Sequence, residues 1–124
     1  MNTQKSKEIK EFAKNELISK TIIQGIIENK PITFTMTGIK EAINQPHKHL
    51  NEKNNAIFEI VSLIKNGKYI KFEKDNKERA SGFHYIETNI CNSESYIVLK
   101  ENFNGSVVFY TIVDRLKKSD YSEK

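Results

Sequence analysis

Three histidines, His47, His49 and His84, are the only side chains here whose ordinary pKa lies near neutrality. Cleavage of RNA through its own 2′-hydroxyl needs a base for the hydroxyl proton, an acid for the leaving 5′-oxygen, and a cation or donor for the extra phosphate charge. Two histidines and a lysine meet that need. His47, His84 and Lys40 are therefore the candidate catalytic groups, with Tyr110 and Thr111 as hydrogen-bond donors. Lys48, His49 and Tyr85 are candidates for holding the substrate.

Plainer roles fit the same residues. His47 and His49 follow Pro46 in a loop, where histidines often face solvent or help to cap a helix. His84 shares a strand face with Ile86 and Ile90, as a hydrogen-bonded core histidine would. Lys40 reads as an exposed helix lysine, and Tyr85 and Tyr110 as packing residues that keep a wet hydroxyl. The His47-x-His49 spacing also suits two metal ligands on an extended segment. No acidic or cysteine ligand stands at a recognisable distance from it, so no metal and no cofactor are expected. Phosphate-cradling glycine loops, the Gly-x-Ser-x-Gly elbow and a cysteine–histidine nucleophile pattern around Cys91 are all missing from the sequence.

The elements that must position these groups follow from periodicity. From Ser6 to about Ile27, Ile9, Phe12, Ala13, Leu17 and Ile18 recur at helical steps, which predicts an amphipathic first helix. Ile32 to Met36 alternates like a short strand. Thr37 is the expected N-cap of a short helix through Gly38–Asn44, closed by Gln45-Pro46. Leu50, Asn54, Ile57, Val61 and Ile64 fall on one stripe and predict the main core helix over 51–66, stopped by Asn66-Gly67. Four β-rich runs follow, Lys68–Phe72, Gly82–Cys91, Ser95–Glu101 and Ser106–Val113, joined by turn-rich stretches that suit antiparallel hairpins. The expected fold is α+β, with N-terminal helices packed on a four-stranded antiparallel meander and the second sheet face left open for a site. Along Phe83–Ile90 and Val107–Ile112 neither strand face is cleanly polar, as for a sheet whose open side is a partly enclosed cleft.

Composition sets the bounds. A chain of 124 residues has the size of one domain. Its apolar runs fall far short of the roughly 20 residues needed to span a bilayer, so no membrane segment is expected. The N-terminus shows no secretory signal, and the single cysteine excludes an internal disulfide and a cysteine zinc site; a cytoplasmic location is expected. The net charge of +4 permits attraction to phosphate. Nearly all of the basic residues are lysines, though, with Arg79 and Arg115 the only arginines, and lysine reads phosphate less specifically than arginine does.

The segment Ile32–His47, the core helix after it, Phe83-His84-Tyr85-Ile86 and Val108–Val113 together resemble a phage-associated nuclease family. It belongs to the group that joins barnase, EndoU, the tRNA-cleaving colicins and RelE (the BECR fold), whose members occur in phage and mobile-element polyproteins. The likeness covers residues 31–114, with 1–30 as an N-terminal helical segment and 115–124 as a polar tail. It implies a four-stranded antiparallel sheet with an RNA-cleaving site on the open face. Carried over by position, Lys40 follows Thr-Gly-Ile, His47 follows the short helix, His84 is the strand histidine, and Tyr110 or Thr111 is the last-strand donor. The scarcity of arginine departs from RelE-like sites. The expected function is thus a metal-independent ribonuclease acting on RNA such as tRNA, with an immunity or antitoxin protein as the expected partner. The alternative is a catalytically silent module of such a polyprotein that binds nucleic acid or protein.

Overall fold

The computed structural model describes residues 3–18, 23–27 and 30–116, with only the backbone of residues 3 and 23–26. The polar tail beyond residue 116 lies outside the described residues. Within them the chain is α+β, in the order α1 (Thr3–Glu16), β1 (Ile23–Ile27), β2 (Lys30–Thr33), α2 (Met36–Asn44), α3 (Leu50–Asn55), a 3-10 turn (Ala56–Glu59), α4 (Ile60–Asn66), β3 (Lys68–Lys74), β4 (Gly82–Ile90), β5 (Ser93–Glu101) and β6 (Val107–Val113).

The first helix is shorter than its pattern predicts. Ile9, Ala13 and the following Leu17 do enter the core, but Ile23–Ile27 forms a strand rather than the end of that helix. Ile23, Ile26 and Ile27 are β-branched and Gly25 lies among them, a composition that favours a pleated partner over a helix. The partner is β2, which runs antiparallel to it.

Thr35, not Thr37, caps α2: its Oγ1 accepts from the Gly38 N–H at 3.1 Å. At the other end Pro46 holds Gln45 extended and closes the helix as expected. The carbonyls of Ala42 and Ile43 at that end are taken by the next helix. The Lys53 ammonium donates to both, and the Asn54 amide donates to Ile43 at 3.3 Å. A cation at a helix C-terminus satisfies orphan carbonyls and opposes the helix dipole. The single helix expected over 51–66 is broken into α3, the 3-10 turn and α4. At three residues per turn the tightened segment brings Ile57 and Ile60 onto one side, and with Ile64 they are buried.

The four expected meander strands are present, and the sheet extends beyond them. Among the described residues it has six strands in the order β1-β2-β6-β5-β4-β3. β3, β4, β5 and β6 pair antiparallel in succession. β2 adds to β6 in parallel through Ile32↔Val107, a joint that hydrophobic patterning does not encode. Cys91 and Asn92, both with positive φ, make the two-residue turn from β4 to β5. One sheet face, carrying Ile86, Ile97, Leu99 and Phe109, packs under the helices to form the core. The other is left open, as expected.

Candidate functional site

Strand pairing fixes which residues share the open face. Lys71, Tyr85, Val98 and Thr111 form one row straight across β3, β4, β5 and β6. Glu73, Phe83, Lys100 and Val108 form the next. A bulge between these rows leaves Tyr110 as an extra residue in β6 and turns its ring toward the same side. There it meets Phe83 at 5.4 Å between ring centroids and lies under the Lys100 ammonium at 5.9 Å. These residues, apart from Lys100 and Val108, floor a groove of about 380 Å³, walled on the β6 side by Glu41 and Gln45 of α2.

α2 reaches that wall because Gly38 lets it approach the β6 backbone. A Cβ on Gly38 would stand 2.2 Å from the Phe109 carbonyl oxygen. On the β3 side the groove is bounded by the turn after Lys74, which is built on Asp75. That buried carboxylate accepts from the N–H groups of Lys77, Arg79 and Ala80 at 3.0, 2.9 and 3.2 Å. Burial alone would raise the Asp75 pKa, but the N–H bonds of Lys77 and Arg79 and the Arg79 charge outweigh it and hold it below the usual value.

The groove is polar, aromatic and predominantly cationic. Lys71, Lys74, Lys77, Arg79 and Arg115 line it against Glu41, Glu73 and Asp75. Lys71 lies 3.4 Å from the Glu73 carboxylate and 5.5 Å above the Tyr85 ring. The Tyr85 hydroxyl donates to Glu73 at 3.4 Å. Carboxylate, cation and phenol thus share one corner. At the floor, Thr111 is 4% exposed and its hydroxyl has no hydrogen-bond partner. An unmet buried hydroxyl costs about 1–3 kcal/mol.

The eight residues singled out from the sequence fall into separate places. Tyr85, Tyr110 and Thr111 line the groove. Lys40 is exposed on α2 and is not among the lining residues. His47, Lys48 and His49 stand at the start of β5 on the helix-covered face. The His47 Nδ1 accepts from the His49 N–H at 2.8 Å, which places its proton on Nε2, 3.0 Å from Ser95 Oγ. His49 Nε2 lies 3.0 Å from Ser93 Oγ, and the Lys48 N–H donates to Asp114. Burial lowers the His47 pKa against the opposing pull of Asp114, and Lys53, His49 and Lys48 lower it further.

His84 lies on the same covered face and is 5% exposed. Its Nε2 donates to Glu101 at 2.8 Å and its Nδ1 accepts from the Tyr69 hydroxyl at 2.8 Å. Burial would raise the Glu101 pKa, but hydrogen bonds and charge from Lys30 and His84 hold it below its usual value. Lys30 donates to Glu101 at 2.9 Å. His84 pairs with Leu99, whereas His47 is tied to Ser95, four positions away on β5, roughly 13 Å along a strand. The structure therefore does not bring His47 and His84 together around one phosphate.

Lys71, Glu73, Phe83 and Arg79 are among the groove residues that sequence reading did not assign to a site. Strand alternation already put Phe83 with Tyr85; what it lacked was which face the helices cover. Among the described residues no three histidine, cysteine, aspartate or glutamate side chains group as a metal set, and no helix is long and apolar enough to cross a membrane.

A family model described as large polyvalent protein-associated domain 3 matches residues 1–110. No curated protein and no solved structure matches the chain.

Proposed function

This chain belongs to the large polyvalent protein-associated domain 3 family, and from that premise we propose that it acts on single-stranded RNA across the open face of its sheet. That membership fits a domain of a phage-associated polyprotein. The observation that carries the reading is the interleaving of Phe83, Tyr85 and Tyr110 with Lys71, Lys100, Arg79 and Arg115 on and around one exposed face. Aromatic rings on a sheet stack unpaired bases at about 1–3 kcal/mol each, and flanking cations take the phosphates. A duplex, whose bases are already stacked on one another, gains nothing from such rings.

A second reading adds cleavage, and the Lys71–Glu73–Tyr85 corner favours it. In a metal-independent reaction the Glu73 carboxylate takes the 2′-hydroxyl proton and the 2′-oxygen attacks the adjacent phosphorus. The bond to the 5′-oxygen breaks, that oxygen takes a proton from the Tyr85 hydroxyl, and a 2′,3′-cyclic phosphate remains. Lys71 neutralises the extra charge on the phosphate. In this version His47, His84 and Lys40 take no part in the chemistry.

Fluorescence anisotropy with a labelled single-stranded RNA of twelve nucleotides, in EDTA, tests both readings. The expected result is binding that weakens as salt rises, at least ten-fold weaker for Tyr85→Ala. A Tyr85→Ala protein that binds as tightly as the wild type would remove the open face from the site. Product ends carrying cyclic phosphate, lost in Glu73→Gln while binding persists, would support cleavage; intact RNA after prolonged incubation would leave binding alone.

A further inference from the structure

We propose that the groove crosses the sheet from corner to corner and is the footprint of about five nucleotides of single strand, with Arg79 holding a phosphate at one end and Arg115 at the other. This rests on the RNA reading above and says how much of the strand the face holds and which residues anchor its ends.

Strand register gives the direction. Lys74, Gly82, Glu101 and Val107 form one end row of β3, β4, β5 and β6, and Lys68, Glu87, Tyr96 and Val113 form the other. The groove is lined by Lys74 and Val113, which are opposite corners, and by neither Lys68 nor Val107, which are the other two. Its long axis is therefore the diagonal. From Gly82 to Glu87 is roughly 16 Å along the strand, and from β3 to β6 roughly 14 Å across. The two corners lie roughly 20 Å apart.

The only two arginines of the sequence stand at those corners. Arg79 belongs to the turn that leaves β3 after Lys74; it lies 3.5 Å from the Asp75 carboxylate, and Lys74 and Lys77 line the groove beside it. Arg115 follows the end of β6. Val113 and Arg115 line the groove, whereas Asp114 between them accepts from the Lys48 N–H on the covered side, the alternation of an extended chain. Phe83, Tyr85 and Tyr110 belong to the rows between the corners. Glu73 there is engaged by Lys71, and Glu41 stands on the wall.

A single phosphate, or one mononucleotide, is too short to meet both arginines. A single strand stretched over roughly 20 Å sets about four phosphates along the line, the first and last of them at the guanidinium groups. Arginine suits those places because its planar fork grips a phosphate through two parallel bonds.

The test is fluorescence anisotropy of the full chain, in EDTA, with labelled oligouridylates of two, three, four, five, eight and twelve nucleotides. Affinity is expected to rise about ten-fold or more from two to five nucleotides and thereafter only with the number of registers available. For the pentamer, Arg79→Gln and Arg115→Gln should each weaken binding about three- to ten-fold and reduce the salt slope by about 0.7. Their effects should add in the double variant, because the two sites are far apart. For the dimer, whose one phosphate can use either corner, each single substitution should cost about two-fold at most. Arg79→Lys and Arg115→Lys should keep the salt slope. Both arginines are exposed, so all of these proteins should melt with the wild type.

Affinity that climbs without a break to twelve nucleotides, or a pentamer indifferent to Arg115→Gln, would overturn the footprint and leave the RNA reading standing. A pentaglutamate peptide that binds as tightly as the pentamer would overturn the assignment to nucleic acid. No binding at any length, the twelve-nucleotide RNA included, would overturn the RNA reading and the footprint with it.

Discussion

The Tyr69 hydroxyl and Nδ1 of His84 lie 2.8 Å apart on the covered face of the sheet, with Glu101 at the other ring nitrogen. Both nitrogens of this histidine are thus committed to protein partners on the side away from the groove. His84→Ala should leave Glu101 and Tyr69 without their bonds and cost about 2–3 kcal/mol of stability by urea unfolding. RNA affinity of the folded variant should stay within two-fold of wild type. A folded His84→Ala protein with much weaker RNA binding would mean that the two faces are not independent.

His47 makes folding sensitive to acid. Its lowered pKa means that the unfolded chain takes up a proton more readily than the fold does. The stability contributed by the neutral ring is therefore complete above the ordinary value of 6.5 and is lost as the pH falls below it. Protonation would also abolish the acceptor that Nδ1 offers to the His49 N–H. Urea midpoints should fall between pH 7 and pH 5, and fall less in His47→Gln.

Lys53 acts in the opposite pH range. Burial lowers its pKa to about 8, so between about 8 and the ordinary 10.5 the unfolded chain holds a proton that the fold has released. Stability should rise over that interval, by an amount on the order of 3 kcal/mol at most. Lys53→Met, unable to titrate, should lack the rise while leaving the Ala42 and Ile43 carbonyls less well satisfied. Guanidinium unfolding of both proteins at pH 7.5 and 9.5 measures the difference.

Asp75→Ala removes the acceptor for three backbone N–H groups in the turn that carries Lys77 and Arg79. A loss of about 1–3 kcal/mol is expected, together with weaker RNA binding as the two cations lose their fixed positions. In the wild type the depressed carboxyl stabilises above its ordinary value of 3.8, and that contribution disappears as pH falls through the lower folded value.

Gly38→Ala puts a methyl carbon against the Phe109 carbonyl, so α2 or β6 must move. Destabilisation of about 2–4 kcal/mol is expected. Because Glu41 and Gln45 ride on α2 into the groove wall, nucleotide binding should weaken beyond what unfolding explains. Titration well below the melting temperature separates the two effects.

Periodicity carried most of the architecture. Of the stripe Leu50, Asn54, Ile57, Val61 and Ile64, the structure buries Asn54, Ile57 and Ile64 and adds Ile60 through the 3-10 turn, while the alternation Phe83 to Ile90 keeps its two faces. Such patterns do not say which side a helix will cover. That depends on α2 and α4 docking, which are long-range events, and so His84 and Tyr85, neighbours in sequence, end on opposite faces with different surroundings. Tyr110 was harder still, because a bulge breaks the parity of β6. Ile23–Ile27 followed a clear helical stretch, and its strand state depends on β2 and through it on β6, partners that a local window does not contain.

That parallel joint also constrains how the molecule is made. Ile32 pairs with Val107, so a ribosome releases β1 and β2 long before the strand that receives them exists. β3 through β6 are joined by short local turns, whereas the β2–β6 joint closes a loop of more than seventy residues and carries the larger chain-entropy cost.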